Sequence, residues 1–585
     1  SGSVQNQDAY MQAVAAQRPY FFEHISAITD QVMDEYAELT GRRYARVGTY
    51  KVDDAEYLIV GQGSMVVQAQ AVVDYLRKTR KLKVGVVDIT MFRPFPGDLI
   101  GKVLEGRRGV AVLERTDQPL AEDLPIMREL RAALSKCLEN GAVKKKGDKP
   151  YTGYPSYGIS HMPRLYSGAY GLGSRDLQPE ALIAAVENML PEGGQRTFFY
   201  LGIEFVREPT DPKDEIRVQQ TIDAYPQVRG LALKGSENPD LLPKGAITVR
   251  LHSVGGWGAV TTGKNLAMTL YELLGFDIRA NPKYGSEKKG QPTTYFLSAA
   301  PEPIRLNCEY TYVDVVMSPD PNVFTHSNPL FGLKEDGVFI IQSELDEADE
   351  VWKRIPMHAQ RFIVEHKIHV YFVDGFRIAR EEASSAELQF RMQGNAFQGA
   401  FFAASPLMER AGLDEEGLFE AIENQLREKF GVKGERVVQD NLRVVRRGFD
   451  ELVEITDKVV SRHEVTKRRS SRLPVMLKRL PAADGGVSDV HRFWEQTGAF
   501  YNTGRGNSNL ADPYQALSLI PAATGVFRDM TQIRFEYPKF VAENCTACGN
   551  CYSVCPDSAI PGLVNSISDV FTAVILRIET NGRPT

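Results

Sequence analysis

The chain has 585 residues, too many for one hydrophobic core, and is expected to fold as several domains. Its composition, 43% apolar and 25% charged, is that of an ordinary globular protein, and a net charge of −6 leaves no basic footprint for nucleic acid. No apolar run approaches the roughly 20 residues of a membrane helix, and no secretory signal opens the chain.

The chain begins Ser1-Gly2-Ser3 rather than with Met, which reads as an expression scar or the cut end of something longer. Residues 8–45 carry Met11, Val14, Ala15, Ile25, Ile28, Val32 and Met33 at helical spacing and are predicted to be helix. From residue 55 short apolar runs alternate with helices. Strands are predicted at 57–60, 83–88 and 109–114, with helices at 65–78 and 97–104, a pattern that implies a parallel sheet with crossover helices. Residues 141–157 read as loop. A helix is predicted over 178–190, after the turn Gly171-Leu172-Gly173-Ser174. A second α/β unit opens with an apolar strand at 197–205, followed by a polar linking stretch at 211–219. Its strands are predicted at 246–251, 294–298, 312–317, 338–342 and 370–373, and its helices at 259–274, 388–404, 414–430 and 435–459. Residues 464–481 form a basic linker and 485–535 an irregular bridge. A helix is predicted over 566–578, and there is no internal repeat.

Six cysteines are present, and four of them lie in Cys545-x2-Cys548-x2-Cys551-x3-Cys555-Pro556. Clustered cysteines in a large chain without a signal point to metal and a reducing compartment, the cytoplasm, rather than to a disulfide framework. Three thiolates each two residues apart can wrap one cubane, and the fourth, followed by Pro, ligates a partner cluster in two-cluster ferredoxins. The competing readings are zinc, which prefers two well-separated cysteine pairs, and a redox dithiol. Cys137 and Cys308 read as plain thiols. In the two-cluster pattern the first cluster lacks its fourth ligand within this sequence, so the native polypeptide is expected to run on past Thr585 into a second cysteine motif.

The second signal is a strand followed by Gly255-Gly256-Trp257-Gly258 and a helix carrying Thr261, Thr262 and Lys264. Glycines there let backbone N–H groups approach an anion at a helix N-terminus. They can equally serve close strand–helix packing. Lys283-Tyr284-Gly285-Ser286-Glu287-Lys288-Lys289-Gly290 adds lysines that suit a polyphosphate, or else forms a solvated basic turn. Gly61-Gln62-Gly63-Ser64 also ends a strand before a helix, but it lacks a nearby cation and reads as structural. His252 and His326, near the domain that carries the glycine turn, read as surface or hydrogen-bonded core residues.

These pieces, in this order, resemble the pyruvate:ferredoxin oxidoreductase superfamily of 2-oxoacid:acceptor oxidoreductases. Residues 46–195 resemble its transketolase C-terminal-like domain, through Leu58-Ile59-Val60-Gly61-Gln62-Gly63-Ser64 and Phe92-Arg93-Pro94-Phe95-Pro96. Residues 196–460 resemble its gamma domain, through the glycine turn, the lysine run and Asn328-Pro329-Leu330. Residues 1–45 form an N-terminal helical segment, 461–535 a linker and bridge, and 536–585 resemble the first half of a ferredoxin-like domain. The implied fold class is α/β: two consecutive parallel-sheet α/β domains, an irregular bridging segment and a partial ferredoxin-like iron–sulfur domain.

The resemblance implies thiamine diphosphate-dependent oxidation of a 2-oxoacid, with coenzyme A as acyl acceptor and ferredoxin or flavodoxin as electron acceptor. It makes Gly255, Gly256, Gly258, Thr262, Lys264, Lys288 and Lys289 candidates for coenzyme A, and Cys545, Cys548, Cys551 and Cys555 ligands of 4Fe-4S clusters. No Gly-Asp-Gly turn, the family's thiamine diphosphate and Mg2+ signature, occurs anywhere in the sequence. The remaining thiamine-binding domains or subunits are therefore expected as partners in a complete, homo-oligomeric enzyme, and this chain alone is expected to be inactive, with no catalytic residue of its own. The alternative is a non-catalytic electron-carrier and acyl-CoA binding module of another reductase. A transketolase-like carbonyl-transfer enzyme with a structural cluster is disfavoured by the missing thiamine signature.

Overall fold

The computed structural model describes residues 5–143, 149–203, 212–284, 290–306, 309–383, 386–408, 412, 414–461, 473–481, 485–504, 506, 514, 519–522, 524–527, 539–555, 560 and 565–579. Two compact units are formed, one of residues 1–324 and 328–466, the other of 325–327 and 467–585.

The first unit opens with α1 (Gln7–Gln17), a π-helical turn (Arg18–Phe22) and α2 (Glu23–Thr40). The predicted helix over 8–45 thus stops five residues early, because Gly41 at φ +72° ends it in a left-handed cap. None of these residues is buried, and Tyr10, Met11, Tyr20, Phe21 and Leu39 are exposed.

A six-stranded sheet follows in the order β1-β3-β2-β4-β5-β6. Its strands are β1 (Val47–Tyr50), β2 (Tyr57–Gly61), β3 (Val84–Ile89), β4 (Gly109–Glu114), β5 (Arg164–Ala169) and β6 (Phe198–Tyr200). All pairings are parallel except that of β1 with β3. Strands β2 and β4 are buried from end to end, as strands covered on both faces must be. One face packs α3 (Ser64–Arg80) and α6 (Pro179–Met189) through Val72, Leu76, Leu182 and Val186. The other packs α4 (Gly97–Leu104) and α5 (Pro125–Ala142) through Ile100, Leu104, Leu130 and Leu134. From residue 212 on, the polar stretch read as a linker at 211–219 lies in α7 (Pro212–Ala224), which is followed by α8 (Pro226–Leu231).

The second sheet has seven strands in the order β13-β12-β11-β10-β7-β9-β8. These are β7 (Ile247–Val254), β8 (Asp277–Lys283), β9 (Pro292–Ala300), β10 (Val313–Ser318), β11 (Leu333–Gln342), β12 (His369–Val373) and β13 (Val453–Ile455). Strands β7, β10, β11 and β12 run parallel, while β8, β9 and β13 pair antiparallel, so the sheet is mixed rather than wholly parallel. Helices α10 (Ala348–Arg354) and α11 (Met357–Glu365) cover one face. The other carries α9 (Ala259–Leu274), α12 (Gly375–Glu382), α13 (Ala386–Ala404), α14 (Glu415–Phe430) and α15 (Glu435–Asp450). The predicted helix over 435–459 is α15 and then β13. The chain leaves the helix at Glu451, and Val453 to Ile455 pair with Val370 to Phe372 at the sheet edge.

Helices α13 and α15 meet through glycine. A Cβ on Gly399 would stand 2.0 Å from the Val445 carbonyl, and one on Gly448 would stand 2.1 Å from that of Ala396. The two sheets are tied within the same unit by Asp74 on α3, which accepts from Tyr50, Lys51 and Arg305.

In the second unit the described part of the bridge holds short helical turns. Leu477, Phe493, Trp494, Tyr514 and Phe527 make a small cluster there. The C-terminal helix is Ile567–Glu579, one residue from its predicted bounds. Residues 462–472 and 528–538 lie outside the described residues. Among the described residues no helix is long and apolar enough to cross a membrane.

Candidate functional site

The chain leaves β7 toward β8 and β9 on one side, then crosses to β10 on the other. The carboxyl ends of β7 and β10 therefore border a topological switch point, where open α/β sheets leave a crevice. Beyond β7 comes the glycine turn. Gly255 is fixed by strand-like pairing: its N–H donates to Gln291 at 2.8 Å and its carbonyl accepts from Gly290 at 2.8 Å. Its amide is therefore taken, and it holds the turn rather than facing an anion. Trp257 N–H closes back on Val254 at 3.0 Å. Gly256 at φ +98° and Gly258 at φ +89° occupy the left-handed region, which a side chain would strain. Among the described residues neither amide finds a backbone partner, and Gly258 caps α9 with no side-chain acceptor in front of it. Trp257 packs edge-on against Phe376 at the start of α12, with centroids 5.0 Å apart.

Thr262 is buried and turned inward. Its hydroxyl donates to the Gly258 carbonyl at 3.2 Å, and it lies against Gly394 of α13, where a Cβ would stand 1.9 Å from the Thr262 oxygen. Lys264 is exposed on the outer face of α9. Lys283 is engaged by Glu309 at 2.6 Å. Lys288 and Lys289 lie outside the described residues, as do Cys308 and Pro556.

Among the described residues, several polar groups on the α9 side of the sheet are buried without a partner. Ser253 shares its strand face with Ile247, Val249 and Leu251, which pack on α9, and its hydroxyl is unpaired at the mouth of the switch point. Both ends of the Gln393 amide, on α13, are likewise unpaired. Buried polar atoms of this kind are normally satisfied, so they mark where a ligand or water belongs. On the opposite face Arg250 is fully buried, with its guanidinium donating to the carbonyls of Pro329, at 2.9 Å, and Phe331. Burial pushes its pKa down to about 10. It thereby anchors the Asn328-Pro329-Leu330 segment beside β10.

In the second unit Cys545, Cys548 and Cys551 are exposed and Cys555 half-buried. Ala547 at φ +54° and Gly549 at φ +79° bend the chain sharply on either side of the second cysteine, Cys548, before a single helical turn, Asn550–Ser553. The Cys548 thiol is held below its ordinary range by the Asn550 backbone N–H and then by the Thr546 hydroxyl. Among the described residues no three Cys, His, Asp or Glu side chains converge closely enough to hold one metal ion. The donor chemistry nevertheless fits an iron–sulfur cluster, with sulfur ligands only and a backbone N–H already aimed at one of them. Cys137 is buried and its thiol is pushed up to about 11 by burial, as expected of an inert packing residue.

Lys429 and Asn265 escaped sequence reading. Lys429, in the last turn of α14, donates to Asn265 of α9 at 2.7 Å across 164 residues of chain. Nothing local in either segment signals the pairing.

Comparison with known proteins gives three family matches in the same chain order. Residues 55–149 match pyruvate:ferredoxin oxidoreductase core domain II, 248–451 match pyruvate ferredoxin/flavodoxin oxidoreductase, and 538–560 match a 4Fe-4S binding domain. The chain is 26% identical over 565 residues to the pyruvate-flavodoxin oxidoreductase of Trichormus variabilis, covering 96% of this chain and 42% of that protein. It is 25% identical over 561 residues to the pyruvate:ferredoxin oxidoreductase of Moorella thermoacetica, with the same two coverages. Among solved structures, a pyruvate oxidoreductase subunit of Thermotoga maritima aligns at 24% identity over 36% of this chain and 99% of that one, with a TM-score of 0.28. The chain spans less than half the length of the curated relatives it matches. The ordered succession of core domain, glycine-turn domain and cysteine motif, over nearly the whole of the chain, makes it a member of the pyruvate:ferredoxin oxidoreductase superfamily of 2-oxoacid oxidoreductases.

Proposed function

We propose that this chain supplies the coenzyme A-holding domain and an electron-relay site of a thiamine diphosphate-dependent 2-oxoacid:ferredoxin or flavodoxin oxidoreductase. In the complete reaction a 2-oxoacid, coenzyme A and oxidised acceptor become an acyl-CoA, CO2 and reduced acceptor. The observation that carries the coenzyme A reading is the glycine turn at the switch point. The Gly256 and Gly258 amides and the uncapped first turn of α9 are left for a diphosphate. Gly255 and Thr262 act by holding that turn. Lys264 adds positive charge on α9, Lys288 and Lys289 remain candidates from the lysine run of the sequence, and Ser253 and Gln393 offer hydrogen bonds at the base of the turn.

Cys545, Cys548 and Cys551 would hold one 4Fe-4S cluster and Cys555 would reach toward a second. A bound cluster supplies single-electron transfer. The Asn550 N–H and the Thr546 hydroxyl stabilise negative charge on the Cys548 sulfur. No Gly-Asp-Gly occurs in the sequence, so the decarboxylation chemistry is assigned to thiamine-binding domains outside it.

Titration calorimetry with coenzyme A tests the first assignment. Weak binding is expected, and losing a phosphate contact through Lys264→Ala or Lys288→Ala should cost about 1.5–3 kcal/mol. Absence of any binding heat in the unsubstituted chain would overturn it. For the division of labour, the chain supplied with pyruvate, thiamine diphosphate, Mg2+ and coenzyme A should not reduce a viologen dye. Turnover by the chain alone would refute that assignment.

A further inference from the structure

Strand β8 is the edge of the second sheet, and none of its residues is fully buried. Strands β7 and β8 both pair antiparallel with β9, so they run the same way. The end of β8 therefore lies at the same end of the sheet as the glycine turn. The turn depends on the hairpin that β8 and β9 form, because Gly255 is closed by Gly290 and Gln291, which lead into β9. An edge hairpin frays readily, since one side of its ladder has no neighbour. The half of β8 nearest the turn, Asn281 to Lys283, has to be held for that closure to persist.

The first α/β domain supplies the hold, through the loop between β5 and α6. Asn281 donates to the Asp176 carboxylate at 2.5 Å. Lys283 is paired with Glu309 at 2.6 Å. Glu309 is itself fixed by Gln178, whose amide donates to the Glu309 carbonyl at 2.6 Å and accepts from Thr311 at 2.8 Å. Arg115, just past β4, stands 3.9 Å from Asp176 and donates to the Gly171 carbonyl at 3.2 Å. The Asp176 and Glu309 side chains are each only 16% exposed. Burial, and next Glu309, push the Asp176 carboxyl above its ordinary range, against Arg115, Lys283 and Asn281. Its charge therefore does not stabilise the fold at neutral pH. What the position provides is an acceptor aimed at Asn281.

We infer that Asp176 and Gln178 are positioning residues: directly and through Glu309 they clamp the end of the β8–β9 hairpin, and so keep the glycine turn in the shape that receives its ligand. The first α/β domain thereby shapes a site that lies on the second. The tie through Asp74 does a different job, because it acts at the other end of β8. There Asp277 accepts from the Ile304 N–H at 2.7 Å, beside the Arg305 that Asp74 holds. For the identity of the ligand, this inference rests on the coenzyme A reading given above.

Hydrogen–deuterium exchange of the full chain, read by mass spectrometry, tests the clamp beside titration calorimetry with coenzyme A. In Asp176→Ala, exchange across 253–258 and 277–300 should rise about tenfold, the size of one charge-assisted hydrogen bond, while that of β11 stays as it was. Affinity for coenzyme A should fall with it, by up to about tenfold, because the loosened turn must be re-ordered on binding. Asp176→Asn keeps an acceptor for Asn281 and should restore both readouts, and Asp74→Asn should disturb neither. Unchanged exchange in Asp176→Ala overturns the inference. A rise that extends equally to β11, or that Asp74→Asn reproduces, also overturns it, since either marks a general loosening. Faster exchange with unaltered affinity shows that the clamp does not position the site, and overturns it too. If the unsubstituted chain binds no coenzyme A while exchange follows the expectation, the coenzyme A reading fails and the clamp on the turn stands.

Discussion

The glycine turn at 255–258 and the cysteine turn at 545–555 are both short and both legible as motifs, yet they are supported in opposite ways. The first stands on a buried parallel strand, is closed by pairing to Gln291 and Gly290, and is backed by α12, α13 and α14. From Lys539 to Val554 every side chain of the second lies at the surface, with only the glycine at 549 partly covered. The glycine turn thus takes its shape from hydrophobic packing before any ligand arrives. The cysteine turn has local hydrogen bonds and a left-handed pair of residues, and must draw the rest of its order from what its sulfurs bind.

The strongest way to break this contrast is to remove the packing. Gly448→Val drives a side chain into the Ala396 carbonyl and should cost about 3 kcal/mol in urea denaturation of the α/β unit. Unchanged stability would mean that the α13–α15 seam does not support the turn. Anaerobic reconstitution with iron and sulfide probes the other side. Amide exchange across 545–555 should slow by about a hundredfold, as for a site filled well above its dissociation constant, while 247–274 stays as it was. Equal protection in both regions would erase the distinction.

Smaller effects sharpen it. Arg250→Met leaves the Pro329 and Phe331 carbonyls without a donor and should destabilise the α/β unit by about 2 kcal/mol, read from the same urea curves. Asp74→Asn should cost about 1 kcal/mol at neutral pH. Burial opposes the charge of Asp74, but hydrogen bonds from Lys51, Arg305 and Tyr50 outweigh it and hold the carboxyl below the usual range. Such a group stabilises the fold above its unfolded value of about 3.9, and that contribution is lost as pH falls through the lower folded value. The gap between the variant and the unsubstituted protein should therefore close below about pH 4. A gap that persisted in acid would show that packing, not charge, carries the contact.

How much of this was legible depended on how local the signal was. Strands β2, β3 and β4 were plain because both faces are buried and apolar residues run through most of their length. Strand β8 was missed. Its sequence Asp277-Ile278-Arg279-Ala280-Asn281-Pro282-Lys283 is polar and ends in Pro and Lys, which an edge strand tolerates and a central strand does not. Strand β1 is a four-residue edge, and α5 was passed over beside the loop it leads into. The cysteine motif needed only eleven consecutive residues. The sequence also drew attention to Gly255 and Thr262, but it could not tell that one spends its amide on Gln291 and the other its hydroxyl on Gly258. Lys429 and Asn265 come together only once α14 lies along α9.

The edge-on contact of Trp257 with Phe376 also gives the protein an optical property. The chain has three tryptophans. Trp352 is buried with its indole N–H on the Val459 carbonyl, and Trp494 is buried in the bridge cluster. Trp257 is the partly exposed one, and it sits inside the glycine turn. A soluble quencher should therefore dim its emission before that of the other two, and an anion seated on the turn should shield it. Intrinsic fluorescence can thus follow occupancy of the turn without any label.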